Sequence, residues 1–148
     1  MGTFHVACQI ANPVRRARVA RVPSLLVDTG SECTWIPGST LKDIGVKPEK
    51  KDVPFLRANG NTVTRNIGFA ILRIGEHFTI DEVVFAHEGD LCLLGARTLE
   101  GMNLRVDPRG KRLVAAGPVP AAGGVRRQKA NDLEGGMSPW VCSRFRLS

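Results

Sequence analysis

Apolar and polar residues alternate over short segments along most of the chain, and this two-residue period predicts β-strands. Gly, Pro and Asn-Gly pairs separate the segments, as turns do between the strands of an all-β domain. Strands are predicted over residues 4–11, 14–21, 24–27, 33–36, 53–58, 78–85, 91–95, 104–106 and 112–114, together with a long strand that begins at residue 61. The pattern therefore predicts an all-β fold.

Two short segments depart from this alternation and predict helices. Thr40 is followed three residues later by Asp43, which resembles a capping box and indicates one or two helical turns over residues 40–44. Gly45 is expected to end this helix, because glycine commonly follows a helix C-terminus. Good helix formers over residues 96–102 predict the second helix.

The strand over residues 53–58 and the strand that begins at residue 61 are expected to form a β-hairpin. Asn59-Gly60 lies between them, and this pair is the strongest short hairpin signal because a type I′ turn needs a positive φ at both central residues. On the return strand, one face carries most of the apolar residues, namely Val63, Ile67, Phe69 and Ile71. The pattern alone favours an ordinary surface hairpin; the alternative is a mobile cover over a cleft.

One carboxylate has an unusual setting. The apolar strand over residues 24–27 leads directly into Asp28-Thr29-Gly30-Ser31, and a second apolar strand follows. Desolvating an unpaired carboxylate costs several kcal/mol, so chains place one beside a buried strand mostly where it has a function. Asp28 is therefore the candidate catalytic residue. The alternative is an Asx-turn residue that only caps its own loop.

Charge and composition divide the chain into two parts. Residues 1–115 are expected to form one domain, whereas residues 116–148 are Pro/Gly-rich and basic, which predicts a flexible tail. The formal net charge is +7, but the Lys and Arg residues are scattered and no aromatic residues interleave them. This arrangement favours a solvated basic surface and disfavours nucleic-acid binding as the main role.

The cysteines and histidines predict neither a disulfide framework nor a metal site. Cys8, Cys33, Cys92 and Cys142 are far apart and form no CxxC pair, and His5, His77 and His87 show no metal-ligand spacing with them. Cys33 lies near Asp28, but no His-partner pattern supports a nucleophile, so a small buried residue is the favoured interpretation. We expect reduced thiols and no cofactor.

The expected location is the cytoplasm. The first residues lack the basic and long apolar regions of a signal peptide, and no apolar run approaches the length of a transmembrane span. We therefore expect no membrane partner.

Three features in the right order resemble one known family. They are the Asp28-Thr29-Gly30-Ser31 turn followed by Trp35-Ile36-Pro37, the hairpin around Asn59-Gly60, and Leu93-Leu94-Gly95 followed by a short helix and a hairpin. Together they resemble the retropepsin-like aspartic proteases, single-lobe relatives of pepsin, over roughly residues 4–114. The resemblance implies a closed, barrel-like fold with one or two short helices.

The same resemblance implies roles for individual residues. Thr29 would bond to a counterpart loop across a two-fold axis, Gly30 would allow close backbone approach, and the Ser31 hydroxyl would donate to the outer oxygen of Asp28. Leu93, Leu94 and Gly95 would pack beneath the catalytic loop as structural support. The tip of the hairpin would lie over the substrate and consists of Arg57, Ala58, Asn59, Gly60, Asn61 and Thr62. This tip departs from the glycine-rich flap of the viral members. The loop residues 87–90 are a further candidate for lining a subsite.

The chemistry of the family requires two such carboxylates. Two carboxylates about 3 Å apart cannot both ionise, so they share a proton and supply one base and one acid for peptide hydrolysis. This chain offers one Asp in that setting, so a two-fold homodimer is expected to bring two copies of Asp28 together. The predicted function is an aspartic endopeptidase that acts on a protein or peptide. The alternatives are a catalytically silent peptide-binding or dimerisation module of the same fold, and a basic nucleic-acid-associated protein.

Overall fold

The computed structural model describes residues 3–122. Its contacts divide the chain into two units, Met1–Ala116 and Gly117–Ser148, and all the described helices and strands lie in the first. The tail predicted over residues 116–148 falls almost entirely outside the described residues.

The described residues form nine strands and two short helices, which confirms the prediction of an all-β fold. In chain order the elements are β1 His5–Ala11, β2 Val19–Val27, β3 Thr34–Pro37, α1 Gly38–Asp43, β4 Lys50–Leu56, β5 Thr62–Ile74, β6 His77–Ala86, β7 Leu93–Leu94, α2 Ala96–Gly101, β8 Leu104–Asp107 and β9 Arg112–Ala115.

Six of the strands close into a barrel, as expected from the resemblance. Hydrogen-bonded neighbours follow the order β1-β2-β7-β3-β6-β5, and β5 pairs back onto β1, where Gln9 lies opposite Arg73 and Ala11 opposite Ile71. Closure leaves the six strands without an open edge. The strands β8 and β9 form a separate hairpin.

The strand β5 belongs to both the barrel and a projecting hairpin. Its first residues pair with β4, with Thr62 opposite Leu56, and its last residues pair with β1 and β6. The β4–β5 hairpin (residues 50–74) therefore extends out of the barrel wall. The prediction of a hairpin around Asn59-Gly60 is confirmed.

The inside of the barrel is an aliphatic core. Each of the six barrel strands contributes at least one side chain that solvent does not reach, and one from each strand is Ile10, Leu25, Ile36, Leu72, Val83 and Leu94. Branched aliphatic side chains with few rotamers pack such a space densely. The alternation in the sequence therefore produces both the strands and the core.

The prediction for β2 is wrong in one respect, because the strand runs through Pro23 instead of breaking there. Val22 pairs with Cys8 and Leu25 pairs with Val6, so Pro23 and the residue after it oppose a single residue of β1. This is a β-bulge, in which a residue without an N–H is tolerated. Residues 14–18 are not a strand; the side-chain oxygen of Asn12 accepts from the N–H groups of residues 14 and 15 and shapes them into a loop.

Two further details differ from the predictions. On β5, Ile67 and Ile71 of the face predicted to be apolar are buried, but Phe69 of the same face is 39% exposed. The opposite face is buried too, through Ala70 and Leu72. Helix α1 begins at Gly38 with no side-chain cap, so the predicted capping box at Thr40 does not form. Gly45 follows the helix with φ +81°, as expected for a helix end.

Candidate active site

Asp28 lies directly after β2, where that strand runs parallel to β7. Its backbone N–H donates to the Leu94 carbonyl at 3.0 Å, and its own carbonyl accepts from the Ser31 N–H at 3.2 Å. The first bond continues the β2–β7 ladder, in which Leu26 and Val27 lie opposite Leu93 and Leu94. The central strands of the barrel therefore fix the backbone position of Asp28.

The Asp28 carboxylate takes part in an Asx turn and is half-buried. Its Oδ1 accepts from the Gly30 N–H at 3.0 Å, while Oδ2 accepts no hydrogen bond from the part of the chain that the structure describes. The two sequence interpretations of Asp28 are therefore compatible, because the turn orients the carboxylate and leaves one oxygen for other chemistry. A Cβ on residue 30 would lie 3.2 Å from Oδ1, so glycine suits this position.

Helix α2 supports the loop between β2 and β3, residues 28–33, which we call the active-site loop. The Ala96 N–H donates to the Ser31 carbonyl at 2.7 Å, and the Arg97 N–H donates to the Glu32 carbonyl at 3.1 Å. The first N–H groups of a helix have no partner within the helix, and here the loop after Asp28 provides their acceptors. The apolar run at residues 93–95 predicts support by packing alone, and no sequence signal indicates these hydrogen bonds.

Gly95 provides the space for this contact. A Cβ on residue 95 would lie 2.5 Å from the Cys33 carbonyl oxygen and 2.6 Å from its carbon, both of which are backbone atoms. Leu93 and Leu94 beside it are buried, as the apolar run predicted. The Leu-Leu-Gly sequence thus combines a buried strand with the one residue type that lets the active-site loop approach.

A buried chain of hydroxyl groups reinforces the same junction. The Gly95 N–H donates to Thr34 Oγ1 at 2.9 Å, Thr34 Oγ1 lies 2.7 Å from Thr98 Oγ1, and Thr98 Oγ1 donates to Asp81 Oδ2 at 2.9 Å. Because the Thr98 proton goes to Asp81, the Thr34 hydroxyl is the donor to Thr98. Both threonines are fully buried. The sequence carried no signal for this network, which joins β3, α2 and β6.

The position of Ser31 differs from the expected one. Its hydroxyl donates to the Cys33 carbonyl at 3.1 Å and not to the carboxylate of Asp28. Ser31 therefore stabilises the fold of its own loop. Thr29 is exposed, and its role across a two-fold axis stays a prediction because the acceptor would belong to a second copy.

The tip of the β4–β5 hairpin has a different turn from the predicted type I′. The Arg57 N–H donates to the Asn61 carbonyl, and the Gly60 N–H donates to the Arg57 carbonyl. Gly60 has φ +91°, but Asn59 does not have a positive φ. Since a type I′ turn needs two such residues, the tip is a three-residue loop with a glycine bulge.

The hairpin borders a cleft of about 640 Å³ that contains Asp28 in its wall. Of the residues predicted for the site, the lining includes Asp28, Gly30, Ser31, Arg57, Ala58, Asn59 and Leu93. The remaining predicted residues, Thr29, Gly60, Asn61, Thr62, Leu94 and Gly95, do not line it. The structure therefore brings the active-site loop and one side of the hairpin tip to the same cleft.

Aromatic and aliphatic side chains that the sequence analysis did not assign to the site complete the cleft. The rings of Trp35 and Phe55 meet edge to face with centroids 5.1 Å apart, and Leu56 and Leu91 are exposed within the lining. Trp35 follows the active-site loop, and Phe55 precedes the hairpin tip. A signal did exist, because few aromatic residues are present and these two flank the predicted site.

A cluster of three charged residues, Asp90, Arg57 and Arg65, joins the hairpin to the loop before β7. Asp90 is 4% exposed at its side chain, and both of its carboxylate oxygens accept from the two guanidinium groups. Hydrogen bonds from Arg65 above all, then from the His87 N–H, lower the pKa of Asp90 to about 2. Asp90 and Gly89 line the cleft, whereas His87 does not, so the predicted loop reaches the site only in part.

The described cysteines are thiols. Cys8 is buried, and Cys33 and Cys92 are half-buried, while Cys142 lies outside the described residues. Burial raises the pKa of the Cys33 thiol and therefore keeps it protonated at neutral pH. A nucleophilic role for Cys33 is thereby disfavoured, because the thiolate is the reactive form.

Residues 3–122 contain no group of three or more His, Cys, Asp or Glu side chains arranged to hold a metal ion. None of their helices has the length and apolar character that crossing a bilayer requires.

A closed β-barrel with an Asp-Thr-Gly turn at the end of one central strand, supported by a short helix after a second, defines a retropepsin-like aspartic protease domain. The sequence profile of the aspartyl protease family matches residues 18–98, more than half of the chain, and the chain belongs to this family. The match extends from just before β2 into α2, so it includes Asp28, the hairpin and the Leu-Leu-Gly sequence. No curated protein matches the sequence.

Proposed function

We propose that this protein is an aspartic endopeptidase in which two copies of Asp28, one from each chain of a homodimer, activate a water molecule. The observation that carries the proposal is the setting of Asp28. Its backbone is fixed by β7, its loop is supported by α2, and one carboxylate oxygen is free of partners among the described residues, at a cleft bordered by a hairpin.

The pair of carboxylates would divide the work of hydrolysis. The ionised Asp28 takes a proton from water as the water oxygen bonds to the peptide carbonyl carbon, and the protonated Asp28 gives its proton to the carbonyl oxygen. When the C–N bond breaks, the carboxyl that took the proton from water gives it to the leaving amine, and the other carboxylate takes a proton from a hydroxyl of the tetrahedral intermediate. Because one carboxylate serves as base and the other as acid, the pair is needed at the start of the reaction.

The other carboxylates of the cleft support the need for a second copy. Glu32 and Asp90 are the remaining acidic residues in the described lining. Asp90 is already neutralised by two arginines, so it is a poor partner for sharing a proton. Glu32 is exposed to solvent, whereas a dyad needs two carboxylates held about 3 Å apart. A second Asp28 is therefore the best candidate for the missing half of the dyad.

The cleft suits an extended peptide with apolar side chains. Five of the residues that line it have large apolar side chains, namely Trp35, Phe55, Leu56, Leu91 and Leu93. An extended segment can pair its main chain with neighbouring strands while apolar pockets select alternate side chains. We infer that the substrate is an unfolded or flexible protein segment with apolar residues near the cleaved bond.

The test is cleavage of a mixed peptide library, from acidic to neutral pH, by the wild-type protein, by Asp28→Asn and by Asp43→Asn. Asp43 is an exposed residue of α1 outside the cleft, so its variant controls for the same chemical change. We expect cuts from the wild type and Asp43→Asn, and none from Asp28→Asn. Cuts that persist in Asp28→Asn would overturn the proposal. A wild type that binds peptides without cutting them would favour the silent binding module.

A further inference from the structure

The carboxylate of Asp90 is the meeting point of two arginines from the β4–β5 hairpin. Arg65 binds it in a bidentate manner, with Nε 2.7 Å from Oδ2 and one terminal nitrogen 2.9 Å from Oδ1. Arg57 donates to Oδ1 at 2.7 Å, and the His87 N–H donates to Oδ2 at 2.7 Å. These four bonds use both oxygens, and charge-assisted bonds of this kind are the strongest hydrogen bonds in proteins.

The two arginines lie at different positions along the hairpin. Arg57 belongs to the tip, and Arg65 lies on β5 beyond it. Asp90 belongs to the loop between β6 and β7, only a few residues before Leu94, whose carbonyl holds the Asp28 backbone. The Asp90 cluster therefore connects the cover of the cleft to the strand that positions the candidate catalytic residue.

Few other contacts hold the tip in place. All residues from 56 to 62 are exposed. Just before the tip, Phe55 meets the ring of Trp35. A tip with so little buried surface would open readily, since segments with few buried apolar contacts lie at the low end of local stability. The ion pairs with Asp90 supply the contact that opposes this opening.

We propose that Asp90 is a positioning residue that fixes the β4–β5 hairpin over the cleft by binding Arg57 and Arg65 together. Without its charge, two guanidinium groups would face each other with no counterion, and the hairpin would move away from the loop. The effect on peptide cleavage rests on the proposed function. The effect on the hairpin does not.

Tryptophan fluorescence tests the hairpin without any need for activity. The sequence contains two tryptophans, so a Trp140→Phe background leaves Trp35 as the reporter, in contact with Phe55 just before the hairpin tip. We expect acrylamide to quench Trp35 more strongly in Asp90→Asn than in the background protein. Arg57→Gln, which leaves the Arg65–Asp90 pair in place, should give an intermediate increase.

Asp107→Asn is the matched control. Like Asp90, Asp107 accepts backbone hydrogen bonds in a turn, here from two N–H groups, and pairs with an arginine, Arg112. It lies in the β8–β9 hairpin outside the cleft. Acrylamide should quench Trp35 in Asp107→Asn as strongly as in the background protein. Equal quenching of Asp90→Asn and Asp107→Asn, with both folded by circular dichroism, would overturn the proposal.

Kinetics then separate positioning from chemistry. An unfixed hairpin must be ordered by the substrate, so we expect KM for Asp90→Asn to rise by about ten-fold or more, the equivalent of 1.4 kcal/mol. We expect a smaller change in kcat, and Asp90→Glu should restore part of the loss. A fall in kcat alone would contradict the proposal. If the wild type itself does not cleave peptides, the proposed function fails while the quenching result still decides the role of Asp90.

Discussion

Gly95 is the residue at which the size of a side chain decides whether the active-site loop can form. An added methyl group would meet the carbonyl of Cys33, and backbone atoms in a loop held by α2 cannot move aside easily. We expect Gly95→Ala to lower the free energy of unfolding by about 1–3 kcal/mol through overpacking. Urea denaturation measures this loss.

Gly38→Ala is the control for this prediction. Its added Cβ would lie 3.2 Å from the Ala86 carbonyl oxygen, a distance that a shift of a few tenths of an ångström relieves. We expect it to cost less than about 1 kcal/mol. Equal losses for the two variants would show that the contact between Gly95 and the loop is not special.

Ser31→Ala tests whether the Ser31 hydroxyl acts on the loop or on the catalytic carboxylate. Because the hydroxyl donates to the Cys33 carbonyl, its removal should lower stability by about 1 kcal/mol and leave the shape of the pH–rate profile unchanged. A displaced acidic limb in the profile would contradict this expectation. It would mean that the hydroxyl turns to Asp28 in the active enzyme.

Asp90 should also make stability depend on acid. Its pKa is about 2 in the folded chain, against 3.8 without its partners. The stabilising contribution is therefore complete above about pH 4 and is lost as the pH falls toward 2. Solvent near this loop screens the ion pairs and reduces this contribution. We therefore expect the free energy of unfolding to fall by about 1–2 kcal/mol more in the wild type than in Asp90→Asn between about pH 6 and pH 2. Urea denaturation at both pH values measures this. The same loss in the free energy of unfolding for the two proteins would refute the prediction.

At the scale of whole elements, local patterns predict where strands and turns occur better than how they are built. Asn59-Gly60 placed the hairpin correctly, but the tip uses one positive φ instead of two. The pattern predicts separate strands on either side of Pro23, yet Pro23 lies inside β2 because a bulge there requires no N–H from it. In both cases the partner strand decides the local geometry, and a single sequence does not reveal which residue will lie opposite.

The buried hydroxyl network is an element-scale contact that should be sensitive to one substitution. Thr34→Val keeps the shape of the side chain but removes the acceptor of the Gly95 N–H and the donor to Thr98. Leaving these buried groups unpaired should cost about 1–3 kcal/mol in thermal or urea unfolding. Thr34→Ser keeps the hydroxyl and loses one methyl group, so a cost of about 1 kcal/mol is expected. The prediction fails if Val is tolerated better than Ser.

At the scale of the whole molecule, the sequence predicted the class of fold because the Asp28 turn, the hairpin and the Leu-Leu-Gly sequence each carry a local signal; the catalytic role of the turn stays a prediction. The contacts among these three segments carry no local sequence signal. Trp35 meets Phe55, and Arg65 meets Asp90, only because the strands close into a ring that brings distant segments together. The hydrogen-bonded support of the loop by α2 likewise depends on closure, which is why it was missed.

A dimeric active site makes a prediction about mixtures. If activity needs Asp28 from two chains, wild type and Asp28→Asn that are unfolded together in equal amounts and refolded will pair at random. Only about one quarter of the dimers then carry two aspartates, so activity should fall to about one quarter of that of wild type at the same total concentration. If each chain were catalytic on its own, activity would fall to about one half of that of wild type. If mixed dimers were fully active, activity would stay above one half. Because the dyad needs one base and one acid, either of those results would show that a single Asp28 suffices and would require a different catalytic partner within the chain.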